Sequence, residues 1–150
     1  MDHNEYVDIF GLTQADLHGQ ILEYGCVSST TQASWPRFEK PVIRCEPMHN
    51  GTLPFTDFTF DLALCPYYLF SVEDSLPVEE YLRLIYELAR VAKEVRIYPL
   101  INNGLTSPHL GPVLLGLQQE NYGVEVRDVT SSLLQANAML RVWAQQCHVS

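Results

Sequence analysis

Residues 53–65 read LPFTDFTFDLALC, and the second half of this stretch, FDLALC, is almost entirely apolar. A continuous apolar run of this length is typical of a β-strand that is covered on both faces. The segment that follows, SLPVEEYLRLIYELARVAK at residues 75–93, repeats apolar residues at helical spacing. The stretch therefore predicts a strand followed by a helix, which is the repeating unit of an α/β fold.

The same alternation continues on both sides of this unit. Short apolar runs predict further strands, and one more stretch with helical spacing predicts a helix that Ser107 caps and Gly123 ends. These segments are QILEYG (20–25), PVIRCEP (41–47), EVRIYPL (94–100), the helix SPHLGPVLLGLQQENYG (107–123), VEVRDV (124–129) and AMLRVWA (138–144). We predict one domain over residues 1–150 with a three-layer αβα architecture, in which helices cover both faces of a mostly parallel sheet of about six strands. An antiparallel pair forms one edge of that sheet.

Composition and charge narrow the classes of partner. The chain has 18 acidic and 9 basic side chains and a formal charge of −9, which repels a phosphate backbone or an anionic membrane surface. We therefore expect neither nucleic acid nor membrane as a partner. The four cysteines have no CxxC spacing, and the N-terminus has no basic region followed by an apolar run. These features predict a cytoplasmic protein with reduced thiols.

Three phrases in this order resemble a known family. They are ILEYGCVSS (21–29), VIRCEP (42–47) and LPFTDFTFDLALC (53–65), followed by the long amphipathic helix. Together they resemble class I S-adenosylmethionine (SAM)-dependent methyltransferases of the type 11 kind, and the resemblance covers nearly the whole chain. It implies a Rossmann-like fold, SAM as cofactor, and methyl transfer to an acceptor that is a small molecule rather than a nucleic acid.

The resemblance assigns cofactor-binding roles to the segment after the first strand. The family has an acidic residue followed by three glycines at alternate positions, and these positions hold Glu23, Gly25, Val27 and Ser29. Val27 adds two methyl groups where the methionine moiety needs space, whereas Ser29 is small and can donate a hydrogen bond. Two interpretations stay open: an enzyme that binds the cofactor here, or a catalytically inactive binding or assembly protein that keeps the fold.

Further roles follow from the resemblance in the same way. Glu46 matches the acidic residue that holds the ribose hydroxyls of the cofactor. The acidic residue near the adenine matches Asp57 or lies close to it. Cys65, Tyr67 and Tyr68, in the sequence CPYY, match the position after a strand that faces the methyl group and the acceptor. An alternative interpretation treats these aromatic residues as packing at a strand end.

Three of the cysteines fall near predicted strand ends, where a metal site is one interpretation. Cys26, Cys45 and Cys65 could share an ion with His49, but cysteines that pack as small apolar residues are the favoured interpretation. We therefore predict no metal.

One family segment is missing. Only six residues separate Glu46 from Leu53, where the family carries another helix and strand, so the chain resembles a methyltransferase that lacks one βα unit. The absent strand would cover the edge formed by residues 42–45, and an uncovered edge is a template for pairing with another chain. This predicts a homodimer through the edge at Val42–Cys45 or through the apolar face beside it. Alternatively, residues 48–59 fold back over that edge and leave a monomer.

Overall fold

A computed structural model describes residues 7, 9–25, 42–45, 52–66, 70, 77–102, 105–131 and 134–144 of the chain. The elements within these residues are three helices and eight strands. They are, in chain order, α1 (Gln14–His18), β1 (Ile21–Tyr24), β2 (Ile43–Cys45), β3 (Leu62–Pro66), α2 (Val78–Val91), β4 (Val95–Tyr98), β5 (Ile101–Asn102), β6 (Leu105–Thr106), α3 (Leu110–Gln119), β7 (Tyr122–Ser131) and β8 (Leu134–Ala144). None of the described helices has the length and apolar character that a membrane span requires.

The main sheet has the strand order β2-β1-β3-β4-β8-β7, and β5 and β6 form a separate small hairpin. The first four strands are parallel, with β1 hydrogen-bonded between β2 and β3. Strand β8 runs antiparallel to β4, and β7 runs antiparallel to β8. The mostly parallel order and the antiparallel pair at one edge agree with the sequence prediction.

The two faces of the sheet are covered by different parts of the chain. Alternate residues of each strand face opposite sides, so neighbours such as Ile21 and Leu22 belong to different apolar clusters. Helices α2 and α3 cover the face that holds Leu22. The segment before β1 covers the other face with its apolar residues Ile9, Phe10 and Leu12.

The predicted second helix differs from α3 at both ends. The helix begins at Leu110, after His109, and it ends at Gln119 rather than at Gly123. Asn121 takes the left-handed backbone conformation (φ +65°) beyond the helix end, a position that glycine or asparagine usually occupies. Gly123 lies inside β7, where the ring of Trp143 occupies the space of a Cβ atom. Packing against that ring therefore explains this glycine.

The described residues between β2 and β3, 52–61, form no helix, and an arginine of α2 holds them. The guanidinium of Arg90 donates to the carbonyl oxygens of Leu53 and Phe55 and pairs with Asp57 and Glu87. Hydrogen bonds from the backbone N–H groups of residues 58 and 60 to α2 carbonyls continue this attachment. The described residues that lead into β3 thus form a loop that is held against α2.

Candidate functional site

The sheet topology singles out one end of the parallel strands. Strands β2 and β3 lie on opposite sides of β1, so the order of the sheet reverses between β1 and β3. In open α/β sheets, ligands bind outside the carboxyl ends of the strands at such a switch point. We call this end of the four parallel strands the carboxyl edge, and the opposite end the amino edge.

Gly25 stands at the carboxyl edge directly after β1. Its φ of +91° lies in a region that side-chain-bearing residues rarely adopt, so a turn of this shape requires glycine. The absence of a Cβ atom also lets a ligand approach the backbone closely. Of the three positions where the family has glycine, Gly25 is the one described, and its backbone has the conformation that such a turn needs.

Glu23 lies two residues before Gly25 in β1 and is 1% exposed. Its side chain lies on the same face as Ile21, because successive strand residues alternate. Its partners in register are Arg44 of β2 and Leu64 of β3. Glu23 and Gly25 therefore both lie at the carboxyl end of the central strand, and their roles in binding the cofactor stay a prediction.

The structure places Cys65 near the same edge but inside the protein. Cys65 is fully buried in the apolar cluster that α2 and α3 cover. Its side chain therefore lies in the core rather than on the surface that an acceptor would contact. The other acceptor-side candidates, Tyr67 and Tyr68, lie outside the described residues.

Asp57 is not brought together with Gly25. Its carboxylate pairs with Arg90 at 2.9 Å and is 69% exposed. The neighbouring Phe58 donates its N–H to the carbonyl of Arg90, at the end of α2 that leads into β4. Asp57 therefore lies at the amino edge, because it precedes a strand that runs parallel to β1.

Several sequence-predicted residues lie outside the described part of the chain. These are Val27, Ser29 and Glu46 of the cofactor assignment, and Cys26 and His49 of the metal interpretation. Within the described residues, no group of three or more potential metal ligands occurs.

Three rings form a stack at the carboxyl edge, and none of them was assigned a functional role from the sequence. The rings of Phe70 and Tyr81 stack with centroids 5.2 Å apart and planes 5° apart. The imidazole of His109 lies 5.2 Å from the Tyr81 ring at a tilt of 32°. Tyr81 and His109 could have been placed at this edge from the sequence, because each lies at the start of a predicted helix. Phe70 has no local pattern that indicates its position.

Asn137 is a further residue that the sequence did not indicate. Its Oδ1 atom accepts hydrogen bonds from the backbone N–H groups of Leu100 and Ile101, and its Nδ2 atom donates to the carbonyl of Ile101. These bonds hold the chain just after β4 against the start of β8. No local pattern marks such a residue, because its partners are 36 and 37 positions away.

The amino edge carries a network of ion pairs. Arg96, whose side chain is 8% exposed, pairs with Asp16 and Glu94, and Arg141 pairs with Glu94 and Glu125. Burial raises the pKa of Glu94, but the hydrogen bonds and charges of the two arginines outweigh burial, so this pKa lies below its ordinary value. Beside the network is a surface cavity of about 360 Å³ that Trp143 also lines.

Solved structures with the same fold are SAM-dependent methyltransferases and related proteins. Magnesium protoporphyrin IX methyltransferase from Synechocystis PCC 6803, with bound SAM, matches with a TM-score of 0.55 and 11% identity, over 87% of this chain and 73% of that one. A SAM-dependent methyltransferase from Methanosarcina mazei matches with a TM-score of 0.50 and 14% identity, over 96% and 98%. The [4+2]-cyclase SpnF matches with a TM-score of 0.51 and 16% identity, over 85% and 75%.

Sequence comparison finds no relative of this kind. No protein-family profile matches the chain, and no curated protein matches it significantly. At identities of 11–16%, the structural likeness establishes the fold. The chain has the class I fold of SAM-dependent methyltransferases.

Proposed function

We propose that this protein is a SAM-dependent methyltransferase of the type 11 kind that acts on a small-molecule acceptor. The observation that carries the proposal is Gly25, which has a positive φ directly after the central parallel strand and at the switch point of the sheet. The buried carboxylate of Glu23 in the same strand supports it. The charge of −9 favours an acceptor other than a nucleic acid.

The cofactor would supply an activated methyl group, and the contribution of this chain is to bind and orient. Glu23, Gly25 and Ser29 would hold the methionine side of the cofactor, and Glu46 would hold the ribose hydroxyls. Catalysis would rest mainly on alignment of the acceptor with the methyl carbon, because orientation alone supplies a large share of the rate in such transfers.

Calorimetric titration with S-adenosylhomocysteine (SAH) tests this function. We expect the native chain to bind SAH and Glu46→Ala to lose on the order of 1.5–3 kcal/mol, because a charge-assisted contact to two hydroxyls is removed. Asp57→Asn is the matched control: a carboxylate is neutralised at the amino edge, and SAH binding should not change. Weaker SAH binding in Asp57→Asn would restore the adenine assignment.

The rival interpretation is a methyltransferase-fold protein that has lost cofactor binding. Val27 and Ser29 in place of two family glycines favour it. If Val27 fills the methionine space, Val27→Gly should create or strengthen SAH binding. If neither the native chain nor Val27→Gly gives a heat of binding when titrated with SAH, the enzyme proposal is contradicted and the rival is supported.

A homodimer through β2 belongs to the same proposal. Strand β2 is the outermost strand on its side of the described sheet, and Ile43 is 38% exposed. Edge strands of this kind pair readily with a second copy. Light scattering should give twice the mass of 17.1 kDa for the native chain and the monomer mass for Ile43→Lys. A monomer mass for the native chain would contradict the dimer prediction. The cytoplasmic location stays a prediction.

A further inference from the structure

Three rings form a stack at the carboxyl edge, on the same side of the molecule as Gly25. Phe70 lies four residues beyond β3, Tyr81 lies in the first turn of α2, and His109 directly precedes α3. Helix α2 runs from this edge to the amino edge, where the carbonyl of Val91 accepts a hydrogen bond from the backbone N–H of Phe60. Helix α3 runs the same way, because β7 starts opposite the end of β8.

Exposure differs along the stack. Phe70 and Tyr81 are 0% and 2% exposed, whereas His109 is half-buried. The two buried rings therefore form a fixed support, and the imidazole is the member of the stack that a ligand at the carboxyl edge can contact.

The imidazole is not used to cap helix α3. His109 is the N-cap residue, yet its side chain makes no cap hydrogen bond, and its backbone N–H donates to Ser107 Oγ at 3.1 Å. A neutral imidazole has one nitrogen that accepts a hydrogen bond and one that donates. Histidine is also the side chain that most often takes a proton from a reacting group.

The chain that leads to His109 is anchored. Asn137 holds the backbone of Leu100 and Ile101, and the hairpin of β5 and β6 follows at once. His109 comes only three residues after this hairpin. His109 is thus joined to the hairpin by a short segment, and its ring lies against Tyr81.

We propose that His109 is a catalytic residue that contacts the acceptor and removes its proton; this rests on the function proposed above. The acceptor class is an uncharged small molecule with an attacking N–H or O–H group, since a net charge of −9 disfavours an anion. The lone pair of the attacking atom would bond to the methyl carbon of SAM. The bond between this carbon and the SAM sulfur would break, and its electrons would stay on the sulfur. The acceptor proton passes to the imidazole nitrogen and then to water.

Nuclear magnetic resonance of the histidine side chains tests the contact directly. The ring signals of the five histidines are recorded with and without saturating SAH, and His109→Gln assigns the signal of interest. Phenol and aniline serve as neutral protic probes, and benzoate serves as an anion with the same ring. We expect phenol or aniline to shift the His109 signals, with benzoate having no effect. His18, which is exposed at the amino edge, is the internal control and should not shift.

Two results would overturn the proposal. The first is SAH-loaded protein in which both neutral probes leave His109 unmoved, or move it no more than His18. The second is a benzoate shift as large as that of phenol, which would remove the uncharged acceptor class. Failure of SAH to bind would instead contradict the proposed function, and the probe titration without SAH would still report whether the stack is a ligand subsite.

Variants supply a second readout. With the probe that shifts His109, SAH release from SAM should fall about 10²-fold or more in His109→Leu, within the usual range for loss of a general base. His109→Gln, which keeps a hydrogen-bond acceptor, should lose less. Both variants should bind SAH like the native chain in calorimetry. Equal rates in native protein and His109→Leu would contradict the role of the imidazole.

Discussion

The two ends of the parallel strands carry different kinds of residues and interactions. At the amino edge, charged side chains bind one another: Arg96 with Asp16 and Glu94, and Lys93 with Asp61. At the carboxyl edge, the notable features are backbone conformations and rings. They are the positive φ of Gly25, the stack of Phe70, Tyr81 and His109, and the backbone clasp of Asn137.

The difference predicts that the two edges contribute differently to stability and to ligand binding. Paired charges at the amino edge satisfy each other and join the segment before β1 to β4 and β8, so they have a structural role. The carboxyl edge uses glycine and aromatic residues to shape a surface. We therefore expect substitutions at the amino edge to change the free energy of unfolding, and substitutions at the carboxyl edge to change ligand binding.

The largest expected effect is at the amino edge. Arg96→Met should lower the free energy of unfolding by about 3 kcal/mol, because it removes a buried guanidinium, leaves the partly buried Asp16 without this ion pair and leaves Glu94 with Arg141 alone. It also removes the hydrogen bond to the carbonyl of Phe10. Urea unfolding measures the loss, and SAH affinity should not change. Arg83→Met is the control: its pair with Glu80 is exposed, so the cost should be about 0.5 kcal/mol or less. Equal losses in the two variants would contradict a special role for the network.

Gly123→Ala should cost about 2 kcal/mol, because the added methyl group overfills a packed site. Its Cβ atom would lie 2.2 Å from the Trp143 ring, so the ring must move. Gly111→Ala in α3 is the matched control, since nothing lies within 4 Å of its added Cβ atom. That variant should gain about 0.5 kcal/mol from higher helix propensity. Thermal unfolding of both variants decides, and a neutral Gly123→Ala would show that Trp143 is loosely packed.

Gly25→Ala and Gly11→Ala compare the two edges with one chemical change. Both glycines have positive φ, +91° and +61°, so each alanine should cost about 1–2 kcal/mol of stability through backbone strain. Only Gly25→Ala should also weaken SAH binding in calorimetry, because Gly11 lies by the amino edge, where its carbonyl accepts from Arg96. Equal SAH affinities in the two variants would break the assignment of Gly25 to the cofactor.

The smallest effect is a pH dependence spread over the carboxylates of the amino edge. The hydrogen bond from Arg90 lowers the pKa of Glu87 against an opposing effect of burial, and the pKa of Glu94 is also lowered. The unfolded chain protonates both groups nearer their ordinary value of 4.5. The stability they contribute is therefore present above that pH and is lost as the pH falls through the lower folded values.

Urea midpoints between about pH 7 and about pH 3.5 measure this loss. The decline on acidification should be smaller in Glu94→Gln, which cannot titrate at this position. An identical decline in the native chain and Glu94→Gln would show that other groups control acid sensitivity.

Much of the fold was predictable because its signals are local. The apolar run ending at Cys65 and the amphipathic pattern of α2 each lie within a few consecutive residues, and both predicted elements exist. Gly123 was misassigned because a glycine near a helix end usually stops the helix, and its true constraint is the ring of Trp143 on another strand. Of the candidate site, the sequence predicted that Glu23 lies in a strand and that Gly25 follows it, and the cofactor-binding roles of both residues stay a prediction.

The sequence by itself determined the class of fold, the position of the glycine turn after β1 and the acidic character of the protein. Hydrophobic period, turn chemistry and charge are properties of neighbouring residues or of composition. Only the tertiary structure decided that Asp57 lies at the opposite end of the sheet from Gly25, and that Phe70, Tyr81 and His109 meet. It also decided that Arg96 binds the carbonyl of Phe10, 86 positions away. Contacts of this kind depend on which strand ends share an edge, and that is set by strand order and direction rather than by local sequence.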